Sequence, residues 1–174
     1  DLKGDNRYIM DYLMEEVLKI QTDEIKEFLL QTSIFEQLSA PLCNAVLNRY
    51  DIQLILETLE RNNMFLIPLN AERTWYRYHH LFADVLRKRL ETGVPQLLPE
   101  LHRRASRWHE QNGFTSEAIQ QAIVASDQDR AAQLLEDNGC HLLMSGEVAP
   151  LLSWADSIEF ESEARPWLAV QKAW

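Results

Sequence analysis

Two cysteines, five glycines, few cations and no long apolar run set the first limits on this 174-residue sequence. A bilayer-spanning helix needs about 20 predominantly apolar residues. No stretch approaches that, and no secretory leader is visible, so the sequence predicts a soluble, cytoplasmic protein with no membrane contact. Cys43 and Cys140 lack a CxxC companion and sit in apolar, helix-like segments, which predicts buried free thiols in a reducing compartment. The glycines are isolated and none precedes a lysine, so the phosphate-cradling GxxxxGK[ST] loop is absent. There is no GxSxG, HExxH or zinc-spaced Cys/His set, and His102 and His109 lie two helical turns apart. No acidic pair stands in an apolar setting suited to proton transfer. The expectation is no catalysis and no metal for this chain alone. Positive charge is also short: 17 Lys and Arg face 27 Asp and Glu, a net charge of -10. Such a surface repels phosphate backbones unless its cations gather on one face.

What is present is a 46% hydrophobic chain, enough for one substantial core or two small ones. Asn6 to Ile20 carries Ile9, Leu13, Val17 and Ile20 at helical spacing. Thr22, followed by acidic Asp23 and Glu24, opens a second helix ending near Ser33. Ser39 with Pro41 opens a third. Asp51 is the expected cap of a fourth, with Ile52, Ile55, Leu56 and Leu59 on one face and a stop at Asn62-Asn63. The texture then changes. "MFLIPL" and "TWYRYH" flank "NAER", with Trp75 and Arg77 alternating against Tyr76 and Tyr78, a hairpin pattern in which Pro68 marks an edge strand. Helices followed by such a hairpin give the order of a winged helix, with the hairpin as wing.

After a helix over "HLFADVLRKRLE" and a break at Gly93-Val94-Pro95, the pattern is helical again. Leu101, Ala105 and Trp108 form one stripe, closed by Gly113. Thr115 or Ser116 is the expected cap of the next helix, which stripes Ala118, Ile119, Ala122 and Ile123. Short helices separated by Gly139 and Gly146 follow, and "RPWLAVQKAW" is an unfinished helical pattern. With no initial methionine, the chain reads as the middle of something longer. The fold class expected is mainly α: a winged-helix module with a small β-hairpin wing at 1–92, then a helical linker and the start of TPR-like repeats at 93–174. Trp75, Tyr76 and Tyr78 read as wing-to-core packing, and Trp108, Trp154, Trp167 and Trp174 as packing within the repeats.

Winged helices commonly bind DNA, but the segment in the reading position, "DIQLILETLERNN", sets Asp51, Glu57 and Glu60 against Arg61 alone. Base readout needs groove-facing Arg, Lys, Asn or Gln supported by phosphate contacts. The richest basic cluster, Arg87, Lys88, Arg89, Arg103, Arg104 and Arg107, lies beyond the wing and reads as a salt-bridged face. No direct nucleic-acid contact is expected.

The order of "FLLQTSIFEQLSAPLCNAVL", "LETLERNNMFLIPLN", "WYRYHHLFADVLRKRL" and "LHRRASRWHEQNGFTSEAIQQAI" resembles the middle of MalT-like, LuxR-family ATP-dependent transcriptional regulators, a group of signal-transduction ATPases with numerous domains. The resemblance spans essentially the whole chain and is most specific from Leu56 to Leu90. It implies partners that this chain does not contain: an N-terminal ATPase module binding ATP or ADP and slowly hydrolysing ATP, and a C-terminal DNA-binding domain. It further implies an inducer or regulatory protein bound at the repeats. In related switch ATPases a histidine just after the wing, in a His-x-Leu pattern, reaches the terminal phosphate of ADP. The matching position is His79, with Leu81 in the apolar place, and His80 stands where many relatives carry an acid. Two other readings remain open: a DNA-binding winged helix with a dimerising helical tail, and a nucleotide-independent protein-interaction scaffold.

Overall fold

The structure, a computed structural model, describes residues 15–158. By contact it forms two compact units, residues 1–96 and 97–174. Of the helix expected at 6–20, residues 15–19 are helical. The rest of it lies outside the described residues, as do Trp167, Trp174 and "RPWLAVQKAW".

In the first unit, α1 (Asp23–Thr32) starts at Thr22, whose hydroxyl accepts the Ile25 N–H at 3.4 Å, with Asp23 and Glu24 at the positive end of the helix dipole. Helix α2 (Ala40–Leu47) starts at Ser39, whose hydroxyl accepts the Leu42 N–H at 3.3 Å. Helix α3 (Ile52–Arg61) corrects one expectation: Asp51 occupies the cap position but makes no side-chain cap bond. Arg49 takes its carboxylate instead, donating from Nε at 2.8 Å, and the first free N–H of the helix, that of Ile52, goes to Asn44 Oδ1 at 3.4 Å. Strands β1 (Leu66–Pro68) and β2 (Tyr76–Tyr78) are antiparallel, Leu66 opposite Tyr78 and Pro68 opposite Tyr76. Leu38 bridges Tyr76 on the other side of β2 through bonds of 2.7 and 2.8 Å. Pro68 therefore sits on an outer strand, where a residue without an N–H leaves no partner unpaired.

Alternation along β2 buries Tyr76 and Tyr78 and exposes Arg77. Helix α4 (His80–Gly93) follows at once and sets Phe82, Leu86 and Leu90, all fully buried, into the core beside Phe28, Leu29, Leu42 and Leu56. Full burial of each such side chain stabilises the fold by roughly 1.5–3 kcal/mol. Cys43 lies in this core, and burial pushes its thiol up to about 12, leaving it protonated and inert. Cys140, expected to be buried, is exposed.

A 3₁₀ turn at Pro95–Leu97 precedes the second unit: α5 (Leu98–Gln111), α6 (Thr115–Val124), α7 (Gln128–Met144) and α8 (Val148–Ser157). Each helix packs on the next, and α6 also meets α8. Ala118, Ala122, Ala131 and Ala132 are buried at these seams, where small side chains allow close approach. Two expectations are corrected here. Gly139 does not separate helices: it lies buried inside the 17-residue α7. Neither Thr115 nor Ser116 caps α6, because Phe114 takes that position to rest its ring on Trp108, 5.7 Å between centroids, while Ser116 donates to Glu147.

Helix ends repeat one device. At Asn63, Gly113, Ser126 and Gly146 the backbone turns left-handed, with φ of 51°, 80°, 55° and 86°. Each residue's N–H bonds three positions back, and the following N–H bonds five positions back (Met64 to Leu59, Phe114 to His109, Asp127 to Ala122, Glu147 to Leu142). This closes the orphaned carbonyls of the last turn. Gly113 and Gly146 stand thirty-three positions apart, and the buried positions follow the same offset: Leu101 with Leu134, His102 with Leu135, Ser106 with Gly139, His109 with Leu142, Ala118 with Leu151 and Ala122 with Ala155. The α5–α6 and α7–α8 pairs thus share one spacing of buried positions and helix ends.

Candidate functional site

His79 stands at the junction of β2 and α4. Its backbone is extended, with φ -57° and ψ 132°, and its carbonyl opens α4 by accepting the Ala83 N–H at 3.0 Å. Its own N–H donates to the Phe65 carbonyl at 2.7 Å, adding one rung to the hairpin. The side chain makes no cap bond, so His79 does not act as a capping side chain for α4. The ring is half-buried, and its Nδ1 is buried with no hydrogen-bond partner among the described residues. An N–H at that atom would be a buried donor without an acceptor, which is costly. The neutral tautomer with its proton on Nε2 is therefore favoured, and it presents a donor from the less buried edge of the ring. His80 is exposed and stacks on His79, centroids 4.5 Å apart, while Leu81 is half-buried.

The elements holding this junction are apolar and tight. Tyr78, the residue before His79, is buried, and its hydroxyl lies 2.7 Å from Thr32 Oγ1. Thr32 uses its single proton on the Phe28 carbonyl at 2.7 Å, so Tyr78 is the donor to Thr32. Burial pushes the Tyr78 hydroxyl well above the usual tyrosine range, so it stays protonated. Phe82 receives the Tyr78 ring edge-on at 5.9 Å and the Phe65 ring at 5.0 Å. Phe65 and the Tyr78–Thr32 pair were not singled out from the sequence. The hairpin pattern marked Tyr78 as packing, and nothing in "NNMF" announces a left-handed phenylalanine.

The exposed side of α3 carries Gln53, Leu54, Glu57, Thr58 and Arg61. With Glu72, Arg73 and Tyr76 from the wing side, Gln53, Glu57, Glu60 and Arg61 of α3 line a concavity of about 510 Å³. Within it Gln53 donates to Glu57 at 2.8 Å and Arg73 pairs with Glu60 at 3.4 Å, so carboxylates stand where a DNA reader would place cations. Four members of the basic cluster are drawn into the protein's own contacts. Arg87 donates to the Ser33 carbonyl at 2.8 Å and pairs with Asp84 at 3.3 Å; Arg89 pairs with Glu15 at 3.2 Å; Arg103 and Arg104 pair with Glu100 at 3.1 and 2.9 Å.

In the second unit the buried face of α5 is polar. His102 Nδ1 lies 2.6 Å from Gln121 Oε1, Ser106 donates to the Ala118 carbonyl at 2.8 Å and accepts from Arg130 Nε at 2.9 Å, and Arg130 reaches Glu110 at 2.6 Å. His109 Nδ1 is buried and unpartnered among the described residues. Burial lowers the pKa of both histidines, opposed by Gln121 at His102 and by Glu117 at His109. The two rings are separate and are not brought together as ligands, and no group of three or more potential metal ligands occurs among the described residues.

A helical tri-element with a β-wing, followed by packed helices, defines a winged-helix module followed by a helical region. Residues 14–98 match the MalT winged helix domain. Over 168 residues the chain is 30% identical to the HTH-type transcriptional regulator MalT of Vibrio parahaemolyticus, covering 96% of this chain and 19% of that protein, and equally to MalT of Vibrio cholerae. It is 35% identical over 176 residues to the serine/threonine-protein kinase PknK of Mycobacterium tuberculosis, covering 99% of this chain and 16% of that protein. The winged-helix region, residues 14–98, is MalT-like, and the chain spans less than a fifth of the length of these relatives.

Proposed function

We propose that this chain is the regulatory central region of an ATP-dependent, LuxR/MalT-type transcriptional regulator. It couples the nucleotide state of an N-terminal ATPase module to signal recognition and to a C-terminal DNA-binding domain. The observation that carries the nucleotide link is the one-sided setting of His79: an unpartnered, buried Nδ1 that favours an outward-facing Nε2–H. That donor would meet the terminal phosphate of ADP. A contact made to ADP and not to ATP supplies the differential affinity a two-state switch requires. The thirty-three-residue helical offset is close to that of TPR hairpins, and supports a repeat array that holds an inducer or regulatory protein. ATP hydrolysis belongs to the ATPase module, and DNA contact to the C-terminal domain.

The resemblance to PknK over nearly the whole chain favours a broader second reading, in which the same module serves more than one output, transcription in one relative's name and a kinase in another's. One experiment addresses the nucleotide link. The parent protein, wild type and His79→Ala, is purified and denatured, and the released ADP and ATP are quantified. Wild type is expected to release ADP and the variant at least tenfold less. Equal ADP in both leaves His79 a packing residue and puts the regulatory switch elsewhere.

A further inference from the structure

We propose that Phe65 is a positioning residue that sets the pose of His79. Its functional consequence rests on the phosphate-sensor reading, whereas the pose itself rests on the geometry of the wing. Phe65 has φ 55°, in the left-handed region that aromatic side chains rarely adopt. Of the non-glycine residues with positive φ, Asn48, Asn63 and Ser126 close helices and Arg73 lies in the wing turn. Phe65 instead stands between the end of α3 and the start of β1, in no helix cap. Such strain persists only where the surroundings over-determine it.

Two contacts do so here. The Phe65 carbonyl accepts the His79 N–H at 2.7 Å, and the Phe65 ring lies on Phe82, 5.0 Å between centroids. Phe82 in turn receives the ring of Tyr78, the residue immediately before His79. The left-handed turn is what lets the chain leave the cap of α3 and enter β1 with both contacts made. His79 is consequently gripped from two sides, through its own N–H and through the ring of its neighbour. Its buried Nδ1 adds no bond of its own, so the pose of the imidazole depends on this backbone grip.

The test compares wild type with Phe65→Ala, Phe65→Gly and Phe65→Tyr. Glycine takes the left-handed turn without strain but brings no ring, so it separates loss of the ring from collapse of the turn. Amide hydrogen exchange on the 174-residue chain reads the grip. Phe65→Ala and Phe65→Gly are expected to speed exchange of the His79 amide at least tenfold, leaving the Leu38 and Tyr76 amides unchanged, and Phe65→Tyr to restore protection. Unchanged exchange at His79, or a rise shared equally with Leu38 and Tyr76, overturns the proposal. In the parent protein, Phe65→Gly is expected to lose retained ADP as His79→Ala does. If His79 loosens and Phe65→Gly still holds ADP while His79→Ala does not, Phe65 does not position the sensor. If the grip loosens as expected and His79→Ala itself retains ADP, the pose assignment stands and the sensor reading falls.

Discussion

The two helical hairpins of the second unit share a backbone plan and differ in what they bury. In α5–α6 the inward positions hold His102, Ser106 and His109; thirty-three positions later, in α7–α8, they hold Leu135, Gly139 and Leu142. The left-handed closures at Gly113 and Gly146 are the same, so the plan is set by helix ends and small seam residues rather than by core polarity. The first hairpin offsets the desolvation of its polar groups with a network running from Ala118 through Ser106 to Arg130 of α7 and back to Glu110. The second has no need of one. A buried polar group without a partner is costly, and His109 Nδ1, outside that network, has none among the described residues.

The largest way to break this comparison is Leu142→His, which makes the second hairpin copy the first without its network. It should cost about 3 kcal/mol or more, from lost burial and an unpaired ring, measured by denaturant unfolding. A near-neutral result would mean that the second seam is loosely packed. Ser106→Ala comes next. It removes the acceptor of Arg130 Nε and should cost about 1–3 kcal/mol, and an additive double variant with Arg130→Met would argue against any coupling through the hydroxyl.

The smallest effect sharpens the contrast through pH. Burial holds both histidine pKa values below the ordinary 6.5, so the unfolded chain takes up protons first as pH falls through that value. Stability is therefore fully present above about pH 6.5 and is lost progressively below it, towards the depressed native pKa values. His109→Leu should leave the melting temperature near that of wild type at pH 7.5 and flatten its decline towards about pH 5.5. An unchanged slope would place the titrating group elsewhere.

Much of the first unit was legible because its patterns are strong. Thr22 and Ser39 announce helix starts, and the alternation from Trp75 to Tyr78 announces β2. The failures share a cause, since each side chain had a competing partner in space. Asp51 was taken by Arg49, Ser116 by Glu147, and the cap of α6 by the Phe114–Trp108 stack. Gly139 misled because, buried within α7, it looks like a breaker and acts as a small core residue. The shared thirty-three-residue spacing was faint because matching positions keep burial and not chemistry: His109 and Leu142 are unlike as letters and alike in burial. Of the candidate site, His79 was singled out by the resemblance in its His-x-Leu context, whereas the bond from its N–H to the Phe65 carbonyl was not foreseen, since a left-handed φ at phenylalanine leaves no mark in a sequence.

The Leu38–Tyr76 bridge has a bearing on how the chain acquires its form. Each closure of the second unit joins residues three to five positions apart, so its helices can form as soon as they are made. The bridge joins positions thirty-eight apart, and the short sheet that seats α4 is incomplete until the later partner arrives. Contacts of long sequence separation slow folding because the entropy of closing the loop is lost before the contact is gained. In the order of synthesis α1 to α3 precede Tyr76, so the bridge, and with it the sheet beside the His79 junction, cannot close before Tyr76 has been added.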